Sequence, residues 1–230
     1  GSVLKPLLFA RMIQEGEILP KTLIPDLPTQ YGGYMPENFD RDYRGAVPAK
    51  VALARSLNVP AVRMLREHGV DRFYDFLQHM GMTTLQRRAD DYGLTLILGG
   101  AEGTLWDMTN MYANLSFLAK QEQATQELYY SQLKVLQQQS NKTNNKAEIG
   151  VAAAWITLNA LVEVARPGQD NYWEAFSSSR KLAWKTGTSF GMRDAWAIGN
   201  DPRYTIAVWA GNASGEGRPE MTGVLTAAPV

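Results

Sequence analysis

Apolar residues recur at helical spacing through the first two thirds of this chain and in strand-like runs only near its end, and that order limits the fold more than any other feature. Leu4, Leu7, Leu8 and Met12 share one face, Ser2 is a good N-cap type and Pro6 suits a first turn, so a helix is expected over 2–14, ended by Gly16. From 20 to 48, proline and glycine interrupt every apolar pattern and a loop is expected. Amphipathic helices follow at 49–56, 60–68, 70–80 and 104–119, and an alanine-rich buried helix at 148–164. Strands are expected at 182–186, 194–199 and 204–211, joined as an antiparallel meander. The expected fold class is therefore α+β, a helical region packed on a terminal antiparallel sheet, and not a doubly wound one. The polar run through 121–146, with Gln137-Gln138-Gln139, reads as a surface insertion without chemistry.

Composition removes several kinds of partner. With 230 residues, 45% of them hydrophobic, the chain can close one large core or two small ones. Basic and acidic residues both number 23, so no net field draws it to nucleic acid or to an acidic membrane surface. There is no cysteine and there are only two histidines, so neither thiolate catalysis nor a metal site is expected. No apolar run approaches the roughly 20 residues of a spanning helix; the stretch 151–165 is broken by Thr157, Asn159 and Glu163. Any export signal or anchor is expected upstream of residue 1.

Chemistry is concentrated in three short motifs. Lys185-Thr186-Gly187, followed by Thr188-Ser189, closes an expected strand, where glycine admits a ligand close to the backbone and a lysine beside two hydroxyls on an exposed edge suits a carboxylate. The plainer account is a glycine bulge with a surface lysine. A serine three residues before a lysine on a helix brings a nucleophile and a base to one face. Chance predicts about one such pair in a chain of this size, and three occur: Ser2 with Lys5, Ser131 with Lys134, and Ser178 with Lys181. Ser131 lies in the polar insertion and Ser178 in the approach to the Lys185 strand. Only Ser2 opens an apolar helix, whose positive end would stabilise an oxyanion, so Ser2 is the candidate nucleophile. The third motif, Ser56-Leu57-Asn58, can aim two polar groups into one cleft or simply end a helix.

In this order, Ser2-Val3-Leu4-Lys5, Ser56-Leu57-Asn58 and Lys185-Thr186-Gly187 are the three motif types of penicillin-binding proteins and serine β-lactamases. The longer stretches 1–6, 54–62, 96–101 and 185–189 resemble the transpeptidase domain of class A penicillin-binding proteins, and Asn38-Phe39-Asp40 with 193–199 is similar to one branch of that family. The resemblance implies the penicillin-binding transpeptidase/β-lactamase-like fold over 1–230, truncated at both ends. It also implies a serine D-Ala-D-Ala transpeptidase without cofactor, cross-linking peptidoglycan stem peptides and acylated by β-lactam antibiotics. On that pattern Ser2 is the nucleophile, Lys5 the base and Ser56 a proton relay, while Asn58, Lys185, Thr186, Gly187 and Thr188 bind substrate and the amides of Ser2 and Thr188 form an oxyanion hole. An upstream glycosyltransferase domain and a membrane anchor, with this domain on the periplasmic face of the cytoplasmic membrane, are further implications.

Rival chemistries fit less well. An N-terminal-nucleophile hydrolase needs the serine's own α-amine, which Gly1 blocks. A Ser-His-Asp site would need His68 or His79, which share a face only on a continuous helix that Gly69 argues against; both are expected to be surface or half-buried residues. Within serine acylation, a D,D-carboxypeptidase or β-lactamase-like hydrolase remains open. Trp155 stands where the deacylating glutamate of a Glu-x-x-Leu-Asn segment would fall, which disfavours hydrolysis. A noncatalytic module that binds peptidoglycan or β-lactam is the alternative from another class.

Overall fold

The computed structural model describes residues 1–121, 127–131, 145–164 and 182–230. Its first element is not one helix but two: a 3-10 turn, Ser2–Leu4, runs into α1 (Lys5–Gln14). Ser2 lies inside the turn and its side chain caps nothing, which corrects the N-cap expectation. Pro6 in the first turn of α1 lacks only an N–H that no helical carbonyl would have received. Leu7, Leu8, Phe9 and Ala10 are fully buried, so α1 is the central helix of the core.

Around it pack α2 (Ala49–Ala54), α3 (Asn58–His68) and α7 (Val151–Val162). The segment expected as loop holds two four-residue strands, β1 (Leu23–Asp26) and β2 (Gly45–Pro48), paired antiparallel. Four residues are too few to show a period of two, and prolines in both strands are tolerated in a two-stranded ribbon. Between α3 and α4 (Val70–His79), Gly69 at φ +100° breaks the helix, so the two histidines do not share a continuous face. His68 is nevertheless buried, against expectation, because the segment after α1 brings Glu17 Oε2 within 2.7 Å of its Nδ1. His79 is exposed and meets Glu148 at 2.7 Å.

A short helix, α5 (Ala89–Tyr92), leads into a 3-10 segment, Gly93–Leu98, that packs on α3 and on the Ser2 turn. Next comes α6 (Leu105–Leu118), capped by the Thr104 hydroxyl, which accepts from the Asp107 amide at 2.9 Å. Only part of the stretch expected as a polar insertion is described; there Tyr130 is buried and accepts from the Glu148 amide at 3.0 Å, tying residues 127–131 to the core.

Among the described residues the second sheet has the order β3–β4–β5, formed by β3 (Ala183–Thr188), β4 (Asp194–Asn200) and β5 (Thr205–Gly211), all antiparallel. Helices α6 and α7 contact this sheet, and a π-helical turn, Gly223–Ala227, covers Ala195 and Ala197 from the other side. The expected meander is present, each strand one or two residues different in extent.

Tyr112 joins the two layers to the Ser2 turn. Its buried hydroxyl donates to Val3 O at 2.6 Å, while Asn200 of β4 donates to its backbone carbonyl at 2.7 Å. Tyr112→Phe strands the Val3 carbonyl in the core, a loss of about 1–3 kcal/mol. Thermal unfolding should show a fall of about 2–4 °C per kcal/mol lost; an unchanged midpoint would show that the Val3 carbonyl finds another donor.

Candidate active site

Strand alternation decides what β3 presents. Lys185 and Gly187 point to one face, towards the helices, and Thr186 and Thr188 to the other. The absence of a side chain at Gly187 matters here: a Cβ would stand 3.0 Å from Val3 Cγ1 and 3.2 Å from Ser2 N, so glycine lets the Ser2 turn lie against the strand. Ladder phase adds a second constraint. The Ser189 amide donates to Asp194 O at 3.0 Å, which makes the odd-numbered residues the hydrogen-bonded partners of β4. The N–H and C=O groups of Thr186 and Thr188 therefore face the free edge of β3. Thr186 O there accepts from Lys185 Nζ at 2.8 Å.

The turn that carries Ser2 also sets its relation to Lys5. In a 3-10 turn, side chains three residues apart eclipse each other, a closer superposition than in an α-helix. Ser2 and Lys5 bracket such a turn. Lys5 is 1% exposed, and its Nζ donates to Asn58 Oδ1 at 2.7 Å and to Ser56 O at 2.8 Å, with Ser56 Oγ at 3.5 Å. Lys185, also 1% exposed, donates to Ser56 Oγ at 2.8 Å. The Ser56 hydroxyl thus lies between two buried amines.

This burial corrects the expectation of an exposed edge lysine: the β3 pleat turns Lys185 inward to Ser56. Ser56 itself has φ +56°, a left-handed conformation that costs a residue other than glycine roughly 1–2 kcal/mol. The strain has a visible consequence, since both the carbonyl and the hydroxyl of Ser56 meet the amines.

Neither lysine has a carboxylate partner among the described residues; every acceptor named above is neutral. Burial pushes the Lys185 amine down to about 7 from an ordinary 10.5. Burial, and then the nearby Lys185 cation, holds Lys5 well below the ordinary lysine range. An amine so placed gives up its proton more readily than an ordinary lysine, and in its neutral form can take one.

A cleft of about 470 Å³ opens over this group, lined by Ser2, Ser56, Asn58, Thr186, Gly187 and Thr188. All eight residues singled out in the sequence therefore converge, six lining the cleft and two lysines beneath it. Phe39, Arg55, Leu98, Thr222, Val224 and Leu225 complete the walls and were not anticipated from sequence. The signal for Arg55 was its place next to Ser56, and Phe39 lay in a stretch noted only for resemblance. A second cleft of about 890 Å³ continues past Asn58 and Thr188 to Phe190 and Met192. Of the competing serines, Ser131 is exposed and its amide donates to Asn114 Oδ1 at 2.7 Å; Lys134, Ser178 and Lys181 lie outside the described residues. Among the described residues no cluster of His, Asp and Glu is arranged to hold a metal ion, and no helix is long and apolar enough to cross a membrane.

The fold is that of the penicillin-binding transpeptidases. Penicillin-binding protein PonA1 from Mycobacterium tuberculosis superposes with a TM-score of 0.73 at 22% identity, over 98% of this chain and 63% of that one. A family model described as the penicillin binding protein transpeptidase domain matches residues 1–227, and the chain belongs to that family. It is 36% identical to penicillin-binding protein 1C of Escherichia coli strain K12 over 100% of this chain and 28% of the relative. It is 30% identical to penicillin-binding protein 1B of Vibrio cholerae, over 92% of this chain and 28% of that protein. The chain thus spans less than a third of the length of these relatives.

The Lys185 shift has a thermodynamic consequence with a definite sign. Between about 7 and 10.5 the unfolded chain holds a proton on Lys185 that the folded chain has released, so stability rises with pH across that window. In urea unfolding between pH 7.5 and 9.5, the wild-type chain should gain about 1.4 kcal/mol per pH unit relative to Lys185→Met. Parallel slopes for the two proteins would show that this lysine is not depressed.

Proposed function

We propose that this chain is the acyl-transfer domain of a larger cell-wall synthase, cross-linking peptidoglycan stem peptides as a D-Ala-D-Ala transpeptidase and open to acylation by β-lactam antibiotics. The observation that carries the reading is the pair of buried, charge-depressed amines converging on Ser56 beside the Ser2 turn.

In this reading neutral Lys5 takes the proton of the Ser2 hydroxyl, and Ser2 Oγ attacks the carbonyl of the penultimate D-alanine. The lysine charge so formed is met by Asn58 Oδ1 and Ser56 O, both already within 2.8 Å. The amides of Ser2 and Thr188 receive the oxyanion. A Cβ on Gly1 would lie 2.9 Å from Thr188 N, so that amide opens beside the start of the Ser2 turn. The Ser56 hydroxyl passes its proton to the departing amine of the terminal D-alanine and is reprotonated by the Lys5 ammonium 3.5 Å away; an amine from a second stem peptide then resolves the ester, its surplus proton returning to the Ser2 oxygen.

The terminal carboxylate is held by the hydroxyls of Thr186 and Thr188. Lys185 acts on it from behind Ser56 in its protonated form. Asn58 has one N–H committed to Glu37 O at 2.8 Å, which leaves the other for the substrate amide. No carboxylate lines the 470 Å³ cleft among the described residues, which supports resolution by an amine over hydrolysis. Trp155, in the position of the missing glutamate, sits exposed on α7. The whole protein would add a glycosyltransferase domain and an anchor holding this domain at the periplasmic face of the cytoplasmic membrane, in keeping with relatives more than three times its length.

Incubation with a fluorescent penicillin should add the mass of one ligand to the wild-type chain and none to Ser2→Ala. An adduct on Ser2→Ala refutes the nucleophile. Lys185→Ala should lower the second-order acylation rate constant by about two to three orders of magnitude, and unchanged kinetics would remove Lys185 from the site.

A further inference from the structure

Helix α3 begins badly on its own. Its N-cap position is Leu57, which offers no side-chain acceptor, although the amides of the first turn need one. The acceptor comes from twenty residues upstream: Asn38 Oδ1 receives the amides of Asn58 at 2.8 Å and Val59 at 3.2 Å. Asn38 is 3% exposed, and its Nδ2 donates to Asp26 Oδ1 at 2.7 Å and to Asp42 O at 2.8 Å. Its amide is fully used, with two bonds donated and two accepted.

Asp26 decides which way that amide faces. Its carboxylate, fully buried on β1, also accepts from the Arg44 amide at 3.1 Å, with the Arg44 guanidinium at 3.8 Å. A flipped Asn38 would aim its carbonyl at the carboxylate and its NH2 at two N–H donors. The neighbouring residue completes the hold: Glu37 O takes Asn58 Nδ2, and Asn58 Oδ1 is thereby left facing Lys5.

We propose that Asn38, oriented by Asp26, is a positioning residue for acyl transfer, fixing the start of α3 so that Asn58 presents its carbonyl oxygen to Lys5. The inference rests on Lys5 being the base. It places the carboxylate two side chains away from the amine, where it directs the network without forming an ion pair. The charge that acts on Lys5 is that of protonated Lys185, across the Ser56 hydroxyl.

Two single changes and their combination test this. Asn38→Asp sets two carboxylates against each other, and Asp26→Asn removes the group that chooses the amide's direction. Combined, the two changes exchange donor and acceptor roles and restore a bond across the pair while leaving acceptors for α3; only the bond to Asp42 O stays broken. With a fluorescent penicillin, Asn38→Asp should slow the acylation step about 30- to 100-fold with initial binding changed less than threefold, and Asp26→Asn about tenfold. The double variant should return to within about fivefold of wild type. Folded single variants that acylate at the wild-type rate, or a double variant no better than Asn38→Asp, would overturn the proposal. Asp26→Asn carries the test if Asn38→Asp does not fold.

A wild-type chain that no penicillin acylates would instead refute the acyl-transfer reading. The positioning is then read on the amine itself: in protein labelled with 13Cε-lysine, the Lys5 resonance should move in each single variant and return in the double one. A resonance unmoved in both single variants would overturn the positioning independently of activity.

Discussion

Everything in this site follows from burying two lysines without giving them a carboxylate among the described residues. An ammonium removed from water and left with neutral acceptors sheds its proton readily, and a second cation nearby makes it shed the proton more readily still. Lys185 meets the first condition and Lys5 both, each held by carbonyl, amide or hydroxyl oxygens. Such burial is costly, and the surrounding structure offsets it by making those contacts obligatory. The left-handed Ser56, the glycine at 187 and the tyrosine bond to Val3 each hold one element of the group where the amines need it.

The site is assembled from chain segments with no local reason to meet. The Ser2 turn, the Ser56 corner and the β3 edge are separated by more than fifty and more than a hundred residues, so their encounter depends on the core. The buried first two turns of α1 fix the first, its packing against α2 and α3 the second, and the contact of α7 with both α1 and β3 the third. A rigid scaffold of this kind keeps the reacting groups in register, and about 1 Å of misplacement at a reacting centre can cost roughly a hundredfold in rate.

Much of this was legible in the residues. Helical periodicity located α1, α3, α4, α6 and α7 because each runs for ten residues or more. The Ser2–Lys5 spacing pointed to a shared face, although the element is a 3-10 turn, since one turn of either helix looks alike in sequence. What sequence hid were features made by distant partners. Strands β1 and β2 are too short for their alternation to register. Lys185 reads as a surface lysine until the Ser56 corner is placed over it. His68 reads as half-exposed until Glu17 covers it. Asn38 offers no local reason to cap a helix that begins at residue 58.

That last case explains why an acidic residue can serve a site that must exclude acids. A carboxylate at hydrogen-bond distance from Lys5 would favour the ammonium and raise the pKa that burial lowers. Among the described residues Asp26 meets no lysine: its charge is spent on Asn38, on the Arg44 amide and on the nearby guanidinium. What reaches Lys5 through Asn38 and Asn58 is orientation, carried by amide groups of fixed polarity, with no net charge. Separating the direction of a hydrogen bond from the charge that dictates it lets the amine be held firmly without its charged form being favoured.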